Sequence, residues 1–335
     1  MYVRRNIRWP LIWKFAWRNL IRFSLWSTLV TLAYIKAKRA GLDLSLPFLP
    51  ISTIGVAVAF YVGFKNSQSY DRFWEARKIW GGIVNASRTF ANQVMSYVLP
   101  AAEEDLERVH QERKRLIYRH LAWTNALRLQ LRRTTIFDRD NLSYVPDLKL
   151  RADRDCDATL PPLLDAEEYR FVLARANAAT HLLRIQGEAL SRLREKEGYL
   201  DHFRHLQLMD TLKELYTLQG GCERIKNTPF PRQFAYFSTV FVWIFIFLLP
   251  LGLVDEFGRL GHDASVWLTI PFSVLISWVF STIEIVGDNS EDPFENYVND
   301  VPMTAICRTI EIDLREMLGE EEIPKPLSAV DDILM

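Results

Sequence analysis

The sequence lacks cysteine pairs, a glycine-rich phosphate loop and an excess of one charge. Its three cysteines, Cys156, Cys222 and Cys307, show no CxxC spacing, so we expect no disulfide framework and a reducing, cytoplasmic setting for the soluble part. The 41 basic and 41 acidic side chains cancel, which argues against a nucleic-acid partner. Nucleophile-elbow and metalloprotease motifs are also missing, so we expect neither an enzyme nor a bound cofactor.

The sequence does contain long apolar runs separated by strongly charged stretches. Charge-free runs occupy residues 23–35, 47–64, 234–254 and 266–283. Each of the last three has about 18 residues or more, enough for a helix to cross most of a hydrocarbon layer of roughly 30 Å. The first run spans only if the flanking Arg22 and Lys36 turn their charged ends towards water. The alternative, buried helices of a soluble protein, fits less well because such helices rarely run so long without charge.

The basic residues near these runs predict the orientation. Those before the first run are Arg4, Arg5, Arg8, Lys14, Arg18 and Arg22, and those after the second are Lys65, Arg72, Arg77 and Lys78. Both clusters, and both termini, are therefore expected in the cytoplasm. The segment KAKRAG, residues 36–41, puts three basic residues on the outer side, but the N-terminal cluster is larger and the first helix usually dominates.

These features divide the chain into five parts. They are an amphipathic N-terminal segment, 1–22; membrane helices 1 and 2, 23–64; a cytosolic helical region, 65–232; membrane helices 3 and 4, 233–285; and an acidic motif with a cytosolic tail, 286–335. Strand signals are nearly absent, so the predicted fold class is all-α, a membrane protein with four transmembrane helices and a large helical cytosolic region.

Local signals predict several boundaries in the cytosolic parts. Polar, Pro-punctuated residues 138–162 predict a loop, and helices are expected over 165–197 and 201–216. The segment NTPFP predicts the start of the next helix, capped by Asn227 or Thr228. Near the C-terminus, the apolar residues Ile306, Ile310 and Leu314 recur every four residues and predict an amphipathic helix on the cytosolic region.

The second apolar run carries two stripes on neighbouring helical faces. Val56, Phe60 and Phe64 form a bulky stripe, and Gly55, Ala59 and Gly63 form a stripe of small residues one step behind. Small residues let membrane helices approach closely. If the small stripe packs against the same helix of a neighbouring copy, the bulky stripe turns towards a shared axis. Alternatively, both stripes pack within the helix bundle of one subunit.

Three segments of the sequence resemble the bestrophin family. GFKNSQSYDRFWEARKIWG, residues 63–81, is similar to the segment after the second membrane helix of that family, including an arginine followed by paired aromatics. GGCERIKNTPFP, residues 220–231, resembles the bacterial bestrophin segment before the third membrane helix. EDPFENYVNDVPM, residues 291–303, resembles the acidic motif after the fourth. The three segments occur in the family order among the apolar runs.

The resemblance implies a homopentameric ion channel around one central pore, in a cell membrane, or the inner membrane of a bacterium. It places Val56, Phe60 and Phe64 in the pore neck and leaves Gly55, Ala59 and Gly63 to admit the adjacent helix. A second, cytosolic constriction is implied at Phe203, with His202 and Leu206 beside it. The expected function is passive conduction of chloride and other small monovalent anions, with no covalent chemistry.

Two alternatives stay open at this stage. Phenyl rings favour anions with their edges and cations with their faces, so a sodium- or potassium-selective channel on the same fold is the first. A membrane-anchored helical scaffold that conducts nothing and binds a protein is the second. A scaffold, however, does not require the bulky stripe to lie in register beside the small one.

The acidic motif raises the question of calcium. Asp288, Glu291, Asp292 and Glu295 offer the hard oxygen ligands that calcium prefers, but the spacing is not that of an EF-hand. The chain also departs from the denser acidic cluster of eukaryotic bestrophins, which forms a calcium clasp. We therefore expect little or no calcium activation, and a capped, solvated helix end is the alternative interpretation.

Overall fold

The computed structural model describes residues 1–133, 160–260, 264–297, 299–330 and 332–335. Over these residues the protein is helical and has no β-strand, which confirms the predicted all-α class. The α-helices of the described chain are α1 Trp9–Arg39, α2 Phe48–Tyr97, α3 Leu106–Arg132, α4 Ala166–Leu173, α5 Ala178–Arg192, α6 His202–Asn227, α7 Arg232–Gly258, α8 Thr269–Ser290 and α9 Met303–Met317.

Three helical segments are long and apolar enough to cross a membrane. They are Phe48–Tyr97, Arg232–Gly258 and Ser265–Ser290, which contain three of the four predicted runs except for Pro47. The remaining run, 23–35, is the first along the chain and lies within α1. Its apolar stretch is short and is bounded by Arg22 and Lys36. The apolar cluster joining these helices includes Phe23, Ile51, Val58, Val62, Val242, Phe245, Ile246 and Leu249.

Helix α1 packs along α8. Asn19 Nδ2 donates to Ser281 Oγ at 3.1 Å, and Ser27 Oγ donates to the carbonyl of Thr269 at 3.4 Å. Because later residues of α1 meet earlier residues of α8, the two helices are antiparallel. The indole Nε1 of Trp26 also donates to the carbonyl of Phe247 on α7, at 3.1 Å.

Helix α2 connects the two halves of the molecule without a break. Its 50 residues span about 75 Å at about 1.5 Å per residue. The predicted membrane boundary at residues 64 and 65 is not a helix end, since no proline interrupts the polar stretch KNSQSYDRF that follows. One continuous helix therefore carries both the bulky stripe and part of the region predicted to be cytosolic.

The core of this region, called the cytosolic core after the prediction, is built from the second half of α2 with α3, α5, α6 and α9. Trp80 and Trp123 are fully buried in it. Helix α9 contributes the buried Cys307, Ile310 and Leu314, and Ile306 is partly buried against the same core. The amphipathic helix predicted near the C-terminus is therefore confirmed.

A neutral histidine lies inside this core. His120 Nε2 is 2.8 Å from Ser87 Oγ, and its ring stacks on Phe90 with centroids 5.1 Å apart. Ser87 donates its own proton to the carbonyl of Ile83 at 2.6 Å, so His120 Nε2 carries the proton and donates. Burial lowers the pKa of His120 to about 3, because the charged imidazolium would lose its hydration.

Several predicted boundaries were wrong. The stretch 165–197 is interrupted after Leu173, and Asn177 caps α5 by accepting from the backbone N–H of Thr180 at 2.9 Å. Helix α6 continues beyond residue 216 and ends at Asn227, with Thr228 as its C-cap, because the residue before a proline disfavours the helical conformation. Neither Asn227 nor Thr228 caps α7, whose N-cap is Pro231. Most of the predicted loop 138–162 lies outside the described residues.

Candidate ion-conduction site

The bulky stripe of α2 faces away from the rest of the subunit. Val56, Phe60 and Phe64 are 58%, 78% and 56% exposed, although the neighbouring Val58 and Val62 are buried against α7 and α8. Large apolar side chains that are more than half exposed gain little from the subunit's own core. The structure thus presents one row of three apolar side chains on the outer face of α2.

The stripe of small residues is divided between two environments. A Cβ atom added to Gly55 would lie 2.7 Å from Cε2 of Phe245, so this glycine allows close contact with α7 of the same chain. By contrast, nothing of the chain lies within 4 Å of a Cβ added to Gly63, and Ala59 is exposed. Gly55 therefore serves packing within the subunit, whereas Ala59 and Gly63 face outward.

The Phe64 end of the bulky stripe contacts the start of α7. The rings of Phe64 and Phe234 meet edge to face, with centroids 5.5 Å apart and an interplanar angle of 67°. The Tyr61 ring stacks on the Phe234 ring, with centroids 4.3 Å apart, and the Tyr61 hydroxyl donates to the Phe234 carbonyl at 3.3 Å. Phe64 is thereby supported by an aromatic group from another helix.

A buried ion cluster follows the bulky stripe directly. Lys65 is fully buried, and its ammonium group donates to Glu284 Oε1 at 2.7 Å and to Asp288 Oδ1. Ser238 and Thr239 of α7 donate to the two oxygens of Glu284, at 2.7 and 2.8 Å. These bonds replace the water that a buried charge loses, and they fix α2 to α8 and α7 one residue below Phe64.

This cluster is absent from the sequence predictions, in which Lys65 is only a cytoplasmic charge and Asp288 is a calcium candidate. A usable signal was present, because Glu284 stands next to the end of an apolar run and Lys65 directly follows another. Ionisable residues at such positions usually have a partner.

The other candidate calcium ligands also have cationic neighbours in their own chain. Arg232 Nη1 lies 3.7 Å from Glu291 Oε1, Arg72 Nη2 lies 3.5 Å from Asp292 Oδ1, and Lys226 Nζ lies 3.2 Å from Glu295 Oε1. Within the described residues, no group of three or more His, Cys, Asp and Glu side chains is arranged to hold a metal ion.

The acidic motif also connects helices. Arg72 of α2 donates to the carbonyl of Glu291 at 2.8 Å and to that of Ile225 at 2.6 Å. These bonds join α2, the end of α8 and the end of α6. The motif therefore packs the base of the membrane helices onto the cytosolic region.

Phe203 lies at the opposite end of the cytosolic region from the bulky stripe. Helix α6 runs antiparallel to α2, since Thr211 meets Gln93 at 2.8 Å and Gly221 packs against Ile79. Phe203 is the second residue of α6 and is 77% exposed. Asp201 caps this helix by accepting from the backbone N–H of Phe203 at 2.9 Å. An exposed aromatic side chain at a well-anchored helix start faces solvent or a second chain.

These observations define a helical membrane protein in which a long second helix displays an apolar stripe above a buried ion cluster. The family model described as Bacterial/Fungal Bestrophin protein matches residues 11–316. The chain therefore belongs to the bestrophin family, which confirms the resemblance found in the sequence.

Two similar curated proteins are described as voltage-dependent anion channel-forming proteins. YneE of Escherichia coli strain K12 is 31% identical over 325 residues, covering 96% of this chain and 93% of its own. RSc3414 of Ralstonia nicotianae is 31% identical over 334 residues, covering 96% of each chain. Both names describe channel-forming proteins rather than enzymes.

A solved structure shares the fold. The bacterial bestrophin homolog from Klebsiella pneumoniae superposes with a TM-score of 0.74 at 30% identity, covering 91% of this chain and 98% of that one. The likeness includes both the membrane helices and the cytosolic helices, since it extends over almost the whole of each chain.

Proposed function

We propose that the protein is an anion channel that conducts chloride and other small monovalent anions passively through a central pore formed by five copies of the chain. The observation that carries this proposal is the row of Val56, Phe60 and Phe64, exposed on α2 of the single subunit. A second support is that similar proteins are described as anion channel-forming.

The row forms the neck of the pore in this proposal. Five copies of α2 around one axis place fifteen apolar side chains along a narrow passage. An ion in such a passage loses water and gains little in return, so a neck narrow enough to dewet acts as a gate. Phenyl edges turned inward stabilise an anion there. Ala59 and Gly63, which are exposed in the subunit, allow the neighbouring α2 to approach.

Helix α1 completes a set of four membrane spans in this arrangement. Its inner face packs on α8 and α7 through Asn19, Ser27 and Trp26. Its outer face exposes Leu25 and Leu29, at 68% and 58%, as expected for a surface that meets lipid. The basic residues before α1 and after the neck then place both termini in the cytoplasm, and Phe203 forms a second constriction at the cytosolic end.

The test of ion selectivity is a planar-bilayer recording of the purified protein under a potassium chloride gradient. A reversal potential near the chloride equilibrium value supports the proposal. A value near the potassium equilibrium value replaces it with a cation channel, and the absence of current, even with Val56, Phe60 and Phe64 all changed to Ala, favours the scaffold. The pentamer is tested separately by the mass of the detergent-solubilised particle, expected at five times the chain mass of 39.1 kDa.

The neck is tested by side-chain truncation. Changing Val56, Phe60 and Phe64 together to Ala widens the passage and admits water, so single-channel conductance should increase severalfold. The matched control is Leu29→Ala, because Leu29 is as exposed as Val56, at 58%, but lies on α1. Equal effects of the two changes would contradict a neck at this position.

A further inference from the structure

The start of α1 carries a row of tryptophans that the subunit leaves uncovered. Trp9, Trp13 and Trp17 recur every four residues and are 80%, 63% and 39% exposed. Neighbouring positions Ala16 and Asn19 are buried, so the helix is anchored on one side and open on the other. Indole rings combine a large apolar surface with one N–H donor and favour the boundary between lipid and water.

The length of α1 places this row at a membrane surface. Its 31 residues extend about 46 Å, against roughly 30 Å for the hydrocarbon layer. The extra length of α1 lies at its N-terminal end. Tyr34 packs with Val254, near the end of α7, and only five residues of α1 follow Tyr34. At the other end, ten residues precede Asn19, which meets Ser281 of α8. Those ten residues extend for about 15 Å, which is long enough to cross the headgroup layer of one leaflet, roughly 5–8 Å deep.

Exposed arginines accompany the tryptophans. Arg5, Arg18 and Arg22 are exposed, and the guanidinium carbon of Arg18 lies 5.4 Å from the centroid of the Trp17 ring. Arg4 and Arg8 differ from them, since both lie near Asp332, at 3.7 and 2.7 Å. A planar guanidinium group binds phosphate oxygens with two parallel hydrogen bonds.

We propose that Trp9, Trp13, Trp17, Arg5, Arg18 and Arg22 form a binding surface for the phosphate headgroups of anionic phospholipids in the cytoplasmic leaflet. The rings lie at the headgroup boundary, and the guanidinium groups bind the phosphates. The combination of cationic and amphipathic aromatic side chains fits an anionic lipid surface better than a neutral one. The inference rests on the proposed membrane placement of α1 and not on ion conduction.

The test uses the quenching of tryptophan fluorescence by brominated lipids. The protein is reconstituted into phosphatidylcholine vesicles containing a minor fraction of either brominated phosphatidylglycerol or brominated phosphatidylcholine. Subtracting the signal of a Trp9→Leu, Trp13→Leu, Trp17→Leu variant isolates these three of the 10 tryptophans. Brominated phosphatidylglycerol should quench this difference signal more strongly, by on the order of twofold, and the preference should disappear at high salt.

Two sets of variants distinguish binding at this surface from a general attraction of anionic lipid to positive charge. Changing Arg5, Arg18 and Arg22 to Gln should remove the preference, and changing Lys36, Lys38 and Arg39 to Gln should retain it. The second set carries the same charge change at the opposite end of α1. Equal quenching by the two lipids in the unmodified protein would overturn the proposal. So would a preference that soluble glycerol phosphate abolishes, because the ligand would then be free phosphate. Loss of ion current with the lipid preference intact would count against the channel only.

Discussion

The ammonium nitrogen of Lys65 lies 2.7 Å from a carboxylate oxygen of Glu284, at the level where the exposed apolar stripe of α2 ends. The two residues are 219 positions apart in the sequence, and both are buried. Their contact joins α2 to α8 directly below Phe64. The position of the proposed neck thus depends on an electrostatic contact between helices as well as on apolar packing.

Replacing Lys65 by Met should destabilise the protein strongly. Glu284 and Asp288 would stay buried without their ammonium partner, and breaking a buried pair in this way costs about 3–5 kcal/mol. The check is thermal unfolding in detergent, followed by circular dichroism. Lys36→Met is the control, since Lys36 is exposed and its change should stay within about 0.5 kcal/mol. Equal melting temperatures for the two variants would show that the buried cluster contributes little.

Substitution at two glycines of the small stripe should produce different defects. Gly55→Val forces a methyl-bearing Cβ into the ring of Phe245, and such overpacking costs about 1–3 kcal/mol. Gly63→Val meets nothing within its own chain, so the subunit should stay folded while the assembly weakens. Unfolding temperature and particle mass, measured on both variants, distinguish the two effects. A Gly63→Val protein that retains full assembly would remove Gly63 from the subunit interface.

The buried His120 should make the cytosolic region sensitive to acid. Its pKa is lowered by burial from 6.5 to about 3, so the unfolded chain binds a proton that the folded chain excludes. The stability that depends on a neutral His120 is therefore fully present above about pH 6.5 and is lost as the pH falls towards 3. At pH 5 the loss amounts to about 2 kcal/mol from this residue alone.

Denaturant unfolding of the protein between pH 7.5 and pH 5 measures this loss. His120→Gln keeps a donor near Ser87 but does not titrate, so its stability should depend less steeply on pH. The exposed His202 provides the comparison, and His202→Gln should keep the original slope. If His120→Gln also kept that slope, carboxylate groups would account for the acid sensitivity.

Calcium should have little effect on the current. Each of the four candidate carboxylates lies beside Lys or Arg of the same chain, and a divalent cation would have to displace these partners. Currents recorded with a calcium chelator and with micromolar calcium should therefore agree. A calcium-induced increase that Asp292→Asn abolishes would identify the acidic motif as a calcium site.

Features that depend on short sequence distances could be predicted. The apolar runs, the bulky stripe and the face of α9 each repeat at helical spacing, and a periodic pattern reports which residues share a face. The pairing of Lys65 with Glu284 could not be predicted in this way, because only the folded arrangement of α2 and α8 brings them together. The same reason explains Gly55, whose small size is required by Phe245 of a helix almost two hundred residues later.

Boundaries failed where two local signals competed. The sequence before Pro229 offered Asn227 and Thr228 as caps for α7, but the same residues end α6. A polar side chain near a proline is compatible with either role. Packing of α6 along α2 decides between these two roles, because it keeps α6 helical through the buried Ile225.

The unbroken α2 also has a mechanical consequence. From Phe60 to its last residue, Tyr97, the helix extends about 55 Å, and the Lys65 cluster, just after Phe60, can act as a pivot. Tyr97 lies 32 residues beyond Lys65, so a tilt of about 5° around that pivot would move Tyr97 by roughly 4 Å. The same tilt would move Phe60 by less than about 1 Å in the opposite direction. Small movements near Phe60 would therefore be magnified at Tyr97, and a force applied near Phe203 would act on the proposed neck with a long lever arm.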